Sequence, residues 1–159
     1  MQVLIKNSQR RPINRADLKR TALAAMRAEG CPEEAEVSLL LCADGRIRTL
    51  NRVWRGKDAA TDVLSFSQVE GSGKKVSLKG VRREGRGPIL LGDIVISVQT
   101  AAKQAKSARI SLPEELNFLL VHGILHLLGW EDSSPRSRKR MLARQKELLS
   151  RREKGFAGQ

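Results

Sequence analysis

The chain contains two histidines, His122 and His126, and they stand four residues apart. Side chains at i and i+4 share one face of a helix, so these two can grip one ion. Gly129 follows three residues after His126 and permits a sharp turn, and Asp132 comes three residues later. A carboxylate there can return to the imidazole pair. Two imidazoles and a carboxylate form a known catalytic zinc set, one that leaves a fourth position for water. Two inert core histidines are the alternative. Glu131 competes with Asp132 for the third ligand position, or could orient the water instead.

The string HGILHLLGWED over residues 122–132 has the spacing of the zinc-peptidase pattern H-E-x-x-H-x-x-G-x-x-H. Gly123 stands where that pattern has its general base, and Asp132 stands where it has a third histidine. Peptide hydrolysis therefore loses its base, while metal binding survives. Cutting a phosphodiester with such a centre also calls for a cation on the phosphate, where charge builds up in the transition state. Arg55, in WRGKD over 54–58, is the candidate, since a guanidinium fork matches phosphate geometry. A solvated surface arginine is the alternative at this position.

These residues need a frame. SLPE over 111–114 is a capping box with Pro113 in the first turn. The helix it opens, about 112–128, is apolar on every side and should be buried. A strand is expected at 3–5. Asn14 should cap a helix whose buried face holds Leu18, Ala22, Ala25 and Met26, with Gly30 ending it. The apolar run 37–42 reads as a strand, and Ala43-Asp44-Gly45 as a turn. Ile47, Leu50, Asn51 and Trp54 mark one face of the next helix. Strands are expected at 61–67 and at 89–98, the second broken at Gly92-Asp93. Residues 68–88 read as a Gly-rich basic loop. A helix near 99–107 should precede the buried one. Ser134-Pro135 opens a last helix with an apolar stripe of Met141, Leu142, Leu148 and Leu149 opposite a basic face. The fold class is α+β: a small mixed sheet of about four strands packed with helices, with a buried central helix carrying the metal ligands. One domain, 1–152, and a short tail, 153–159, account for the length.

The chain has 159 residues, with 30 Lys and Arg against 17 Asp and Glu, a net charge of +13. Such a surface attracts polyanions, nucleic acid before membrane. With three Phe, two Trp and no Tyr, base stacking should contribute little, leaving shape and charge. Cys31 and Cys42 lack metal spacing and read as reduced, buried thiols. The N-terminus shows no signal-peptide core, and no apolar run reaches membrane length. Both features suggest the cytoplasm.

Three segments resemble the YbeY family of bacterial ribosomal-RNA maturation endoribonucleases: LNRVWRGKDAATDVLSF over 50–66, LGDIVIS over 91–97, and HGILHLLGWED over 122–132. The resemblance implies an α+β fold, one zinc ion (Zn2+), and metal-dependent, single-strand-specific endoribonuclease activity. It further implies a role in maturing the 3′ end of small-subunit (16S) ribosomal RNA and in ribosome quality control. Ribosomal RNA and the small ribosomal subunit are the implied partners. Ligand roles carry onto His122 and His126, and by position onto Asp132, where the family usually has histidine. Trp130 and Glu131 replace the usual Tyr or Phe and Asp. Arg55 takes the catalytic arginine's place. The competing reading is a ribosome-associated RNA-binding module with structural zinc and little or no hydrolase activity. Gly123 argues against a third reading, a peptidase.

Overall fold

The computed structural model describes residues 1–69 and 87–157. Four strands form one sheet in the order β1-β2-β4-β3: β1 (Gln2–Asn7), β2 (Ala35–Cys42), β3 (Val63–Ser67) and β4 (Ile89–Ser97). β1 and β4 flank β2 in parallel, and β3 runs antiparallel to β4 at the edge. The helices are α1 (Arg15–Ala28), α2 (Asp44–Arg55), α3 (Val98–Ala108), α4 (Leu112–Leu127) and α5 (Pro135–Ala157). This is the α+β fold expected from the sequence.

Alternation along β2 divides the molecule. Leu39 and Leu41 face a core shared with α1, α4 and α5, which includes Leu18, Met26, Ile94, Leu120, Ile124 and Met141. Cys42 faces the other side, in a smaller cluster with Leu64, Val95 and Ile47 of α2. α2 and α4 therefore lie on opposite faces of the sheet. Asn14 caps α1 through the backbone N–H of Asp17 at 3.1 Å. Both cysteines are buried and free.

Four expectations are corrected. Asp44 and Gly45 make no turn; they are the first residues of α2. The Asp44 carboxylate accepts from Ser97 and Thr100 hydroxyls, each at 2.6 Å, and ties α2 to the start of α3. Trp54 does not share the buried face of Ile47 and Asn51. It is 69% exposed, with its ring edge to face with Phe66 of β3 at 6.3 Å between centroids. β4 is not broken at Gly92-Asp93. The strand absorbs one extra residue, Leu91, between the pairs Glu36–Leu90 and Val37–Gly92, and Gly92 adopts φ of +145°. A Cβ at Gly92 would stand 2.2 Å from the Phe66 carbonyl oxygen, so only glycine lets β3 pair here. Leu142 leaves the α5 stripe for solvent. The basic segment expected within 68–88 falls, over 70–86, outside the described residues.

Candidate metal centre

α4 begins with the capping box read from the sequence. The Ser111 hydroxyl accepts from Glu114 N–H, and the Glu114 carboxylate from Ser111 N–H. The helix presses directly onto the sheet at Gly123, where a Cβ would come within 2.8 Å of Ile94 Cγ2. Ser65 and Ser67 of β3 donate hydroxyl hydrogen bonds to the carbonyls of Gly123 and Leu127, both at 3.3 Å. The residue after the first histidine thus points into the core. A peptidase-type glutamate is absent from this position, and its side chain would meet the sheet rather than the cleft.

Pinned this way, α4 turns His122 and His126 to one side. Their rings meet edge to face, 4.5 Å between centroids. Leu128 caps the helix, Gly129 adopts φ of +89°, and Trp130 N–H donates to the Leu125 carbonyl at 3.0 Å. This turn carries Asp132 back over the pair. The two Nε2 atoms lie 3.0 Å apart, and Asp132 Oδ2 lies 3.6 Å from the first and 3.3 Å from the second. His122, His126 and Asp132 form a metal-capable group with ligand atoms within 4.8 Å of one another. Glu131 is exposed and outside that group.

The donor set fits a divalent ion. Four ligands about 2.0 Å from a tetrahedral ion stand roughly 3.3 Å from each other, close to the spacings observed. His126 Nδ1 lies 3.0 Å from the Trp130 carbonyl oxygen. A carbonyl only accepts, so His126 carries its proton on Nδ1 and turns a bare Nε2 toward the cluster. Burial, with the neighbouring His126 adding to it, lowers the His122 pKa and favours the neutral imidazole that a metal requires.

Supports reach the pair from other elements. Trp130 Nε1 donates to Glu29 at the end of α1, at 3.0 Å, and Arg144 Nε of α5 donates to the same carboxylate at 2.6 Å. Gln145, also on α5 and 2% exposed, works against the larger effect of burial by raising the His122 pKa. Asp62, which accepts from Gln104 Nε2 at 3.3 Å, bears electrostatically on His122 and on Glu115. Burial, then Asp62, raises the Glu115 carboxyl above the usual range. Sequence reasoning missed all of these. Glu115 could have been found as the residue two turns before His122 on the same face. Gln145 could have been found as the polar residue inside an apolar stripe.

Arg55 is less constrained. It ends α2 before Gly56, is exposed, and makes no hydrogen bond or ion pair among the described residues. Its helix lies across the sheet from α4. Asn51 Nδ2 donates to the Ala59 carbonyl and Arg48 forks onto Asp58, so the segment after α2 folds back along that helix. The basic face of α5 is partly structural. Arg136, Arg138, Lys139 and Arg140 are exposed, whereas Arg144 pairs with Glu29 and Arg152 with Asp17.

Comparison with known proteins places the chain in a family. A model of the family described as endoribonuclease YbeY matches residues 4–153. Curated relatives of that name include one from an Anaeromyxobacter species, 43% identical over 99% of this chain and 74% of its own length. One from Pelotomaculum thermopropionicum is 46% identical over 84% of this chain and 83% of its own. One from Moorella thermoacetica is 47% identical over the same shares. The solution structure of a Thermotoga maritima protein superposes with a TM-score of 0.62 at 22% identity, covering 98% of this chain and 92% of that one. The family match over nearly the whole length, with relatives above 40% identity, shows that the chain belongs to the endoribonuclease YbeY family.

Proposed function

We propose that this protein is a zinc-dependent, single-strand-specific endoribonuclease that matures the 3′ end of small-subunit ribosomal RNA and serves ribosome quality control in the cytoplasm. The observation that carries the metal-dependent part is the convergence of two imidazole nitrogens and one carboxylate oxygen within 4.8 Å. The RNA part rests on the family and on the +13 charge. Residues 1–152 act as one domain. Zinc, when bound, supplies a Lewis acid and an acidified water.

The chain's own groups do the rest. His122, His126 and Asp132 hold the ion, and α4 keeps the two imidazoles in fixed register. Arg55, unpaired among the described residues and at the end of α2, meets the phosphate of bound substrate and stabilises the charge developing there. The exposed α5 cations Arg136, Arg138, Lys139 and Arg140 hold the backbone of the strand. No hydrogen bond pattern for reading bases is needed, which suits single-stranded RNA chosen by shape and charge.

Metal analysis of the purified chain, together with cleavage of matched single-stranded and duplex RNA, tests this reading. One zinc per chain is expected, with cleavage confined to the single strand and lost in His122→Ala. Full cleavage by His122→Ala, or by protein stripped of metal, overturns it.

A further inference from the structure

The face of the sheet turned to α2 holds a cavity of about 350 Å³, a size that suits a small ligand. Leu40 and Leu50 line it, as do the rings of Trp54 and Phe66. The two rings meet edge to face at 64°, and Trp54 is exposed, so its indole keeps surface free for stacking. Asp93 of β4 lines the cavity as well. The Ser38 hydroxyl donates to its Oδ1, and Gln68 Nε2 donates to its Oδ2 at 3.1 Å. These bonds orient the carboxylate and leave a lone pair on each oxygen, because a carboxylate accepts about four bonds in all.

Charge around the opening selects the class of ligand. Arg46 lines the cavity. Arg46, Arg55 and Lys57 are exposed and make no ion pair among the described residues. A flat ring that stacks on aromatics and hangs from a polyanion is a nucleobase, and single-stranded RNA is read by stacking and along the pairing edge of its bases. Two acceptor oxygens side by side call for two adjacent donors. Guanine is the one RNA base with that pattern on its pairing edge, N1–H beside the 2-amine. The other three would set a lone pair against the carboxylate.

The place of the cavity fits a substrate of the metal centre. Phe66 lies on the edge strand β3 and lines the cavity on one face of the sheet. Its neighbours Ser65 and Ser67 bond α4 on the other face, at the carbonyls of Gly123 and Leu127, each one residue after a histidine. A strand of RNA rounding this edge spans both sites. We propose that the cavity takes one guanine base of the RNA substrate, stacked on Trp54 and Phe66 and gripped by Asp93, while cations hold the rest of the strand. The proposal rests on the endoribonuclease reading.

The test titrates the full chain with the 5′-monophosphates of guanosine, inosine and uridine, followed by tryptophan fluorescence. None has an internucleotide bond, so binding is read apart from cleavage. The guanine nucleotide should bind on the order of tenfold more tightly than the inosine one, which lacks the 2-amine, and than the uridine one. Asp93→Asn, which turns an N–H toward the base, should erase that preference. Trp54→Ala should weaken all three on the order of tenfold. Equal binding of the three nucleotides by the wild type overturns the proposal, as does a guanine preference that survives Asp93→Asn. Inosine alters the ligand and not the protein, so this comparison decides even where a variant does not fold. A chain that prefers the guanine nucleotide but cuts no RNA fails the endoribonuclease reading and keeps the guanine site. A chain that cuts RNA without that preference keeps the endoribonuclease reading and loses the site.

Discussion

Asp132 is where this chain departs from the three-histidine set that its resemblance implies, and its carboxylate sits against both imidazoles. A carboxylate is a harder ligand than imidazole, which suits zinc but moves preference toward oxygen-seeking ions. Asp132→His should keep or tighten zinc, and Asp132→Ala should lose it, as measured by bound metal after dialysis. Arg55 permits a cleaner separation of roles, since it is exposed and unpaired among the described residues. Arg55→Ala should leave zinc content and melting temperature unchanged while cleavage falls on the order of 10²–10³-fold. Arg55→Lys should recover little, because a point charge does not replace the planar fork. Wild-type cleavage by the alanine variant would remove Arg55 from the reaction. The thiols at Cys31 and Cys42 are chemically quiet. Burial pushes each up to about 11 from the ordinary 9.0. A raised thiol pKa contributes stability below the unfolded value and loses it as pH climbs through 9 toward 11. Native protein at pH 8 should therefore resist alkylation at both residues, and denatured protein should not.

At the level of elements, α4 decides the geometry. Gly123→Ala gains helix propensity of about 1 kcal/mol. It also drives a methyl to 2.8 Å from Ile94 Cγ2 in the core. Overpacking typically costs about 1–3 kcal/mol, so the net effect should be destabilising. It should also weaken zinc binding, as α4 lifts from β3 and carries both histidines with it. Urea unfolding and zinc titration check the two effects, and a more stable variant would contradict the close approach drawn here. α5 acts from the other side. Arg144 reaches His126 through Glu29 and Trp130.

The whole molecule presents a net charge of +13, and no described helix is long and apolar enough to cross a membrane. Binding of single-stranded RNA should weaken linearly in log–log terms as salt rises, by about 0.7 for each phosphate neutralised. Replacing exposed Arg138, Lys139 and Arg140 together by glutamine should flatten that slope by about 2. Arg144 and Arg152, committed to Glu29 and Asp17, should instead register in stability. A slope unchanged by the triple variant would move the RNA away from α5.

Local patterns in the chain were sufficient for most of the elements and for the three residues that the fold gathers into a metal-capable group. The capping box, the all-round apolarity of α4, the i, i+4 histidines and the glycine turn each operate within a dozen residues, where spacing sets geometry. Four strands and an α+β class followed from the same periodicities. What local spacing could not determine was which face of an element meets another. Trp54 fitted a helical stripe, yet the fold leaves it 69% exposed with its ring against Phe66. Gly92 looked like a break, yet a crossing carbonyl from β3 makes it the one residue that lets the strand continue. These outcomes depend on contacts between different elements, such as Gly92 of β4 against the Phe66 carbonyl of β3, which only the tertiary fold brings together.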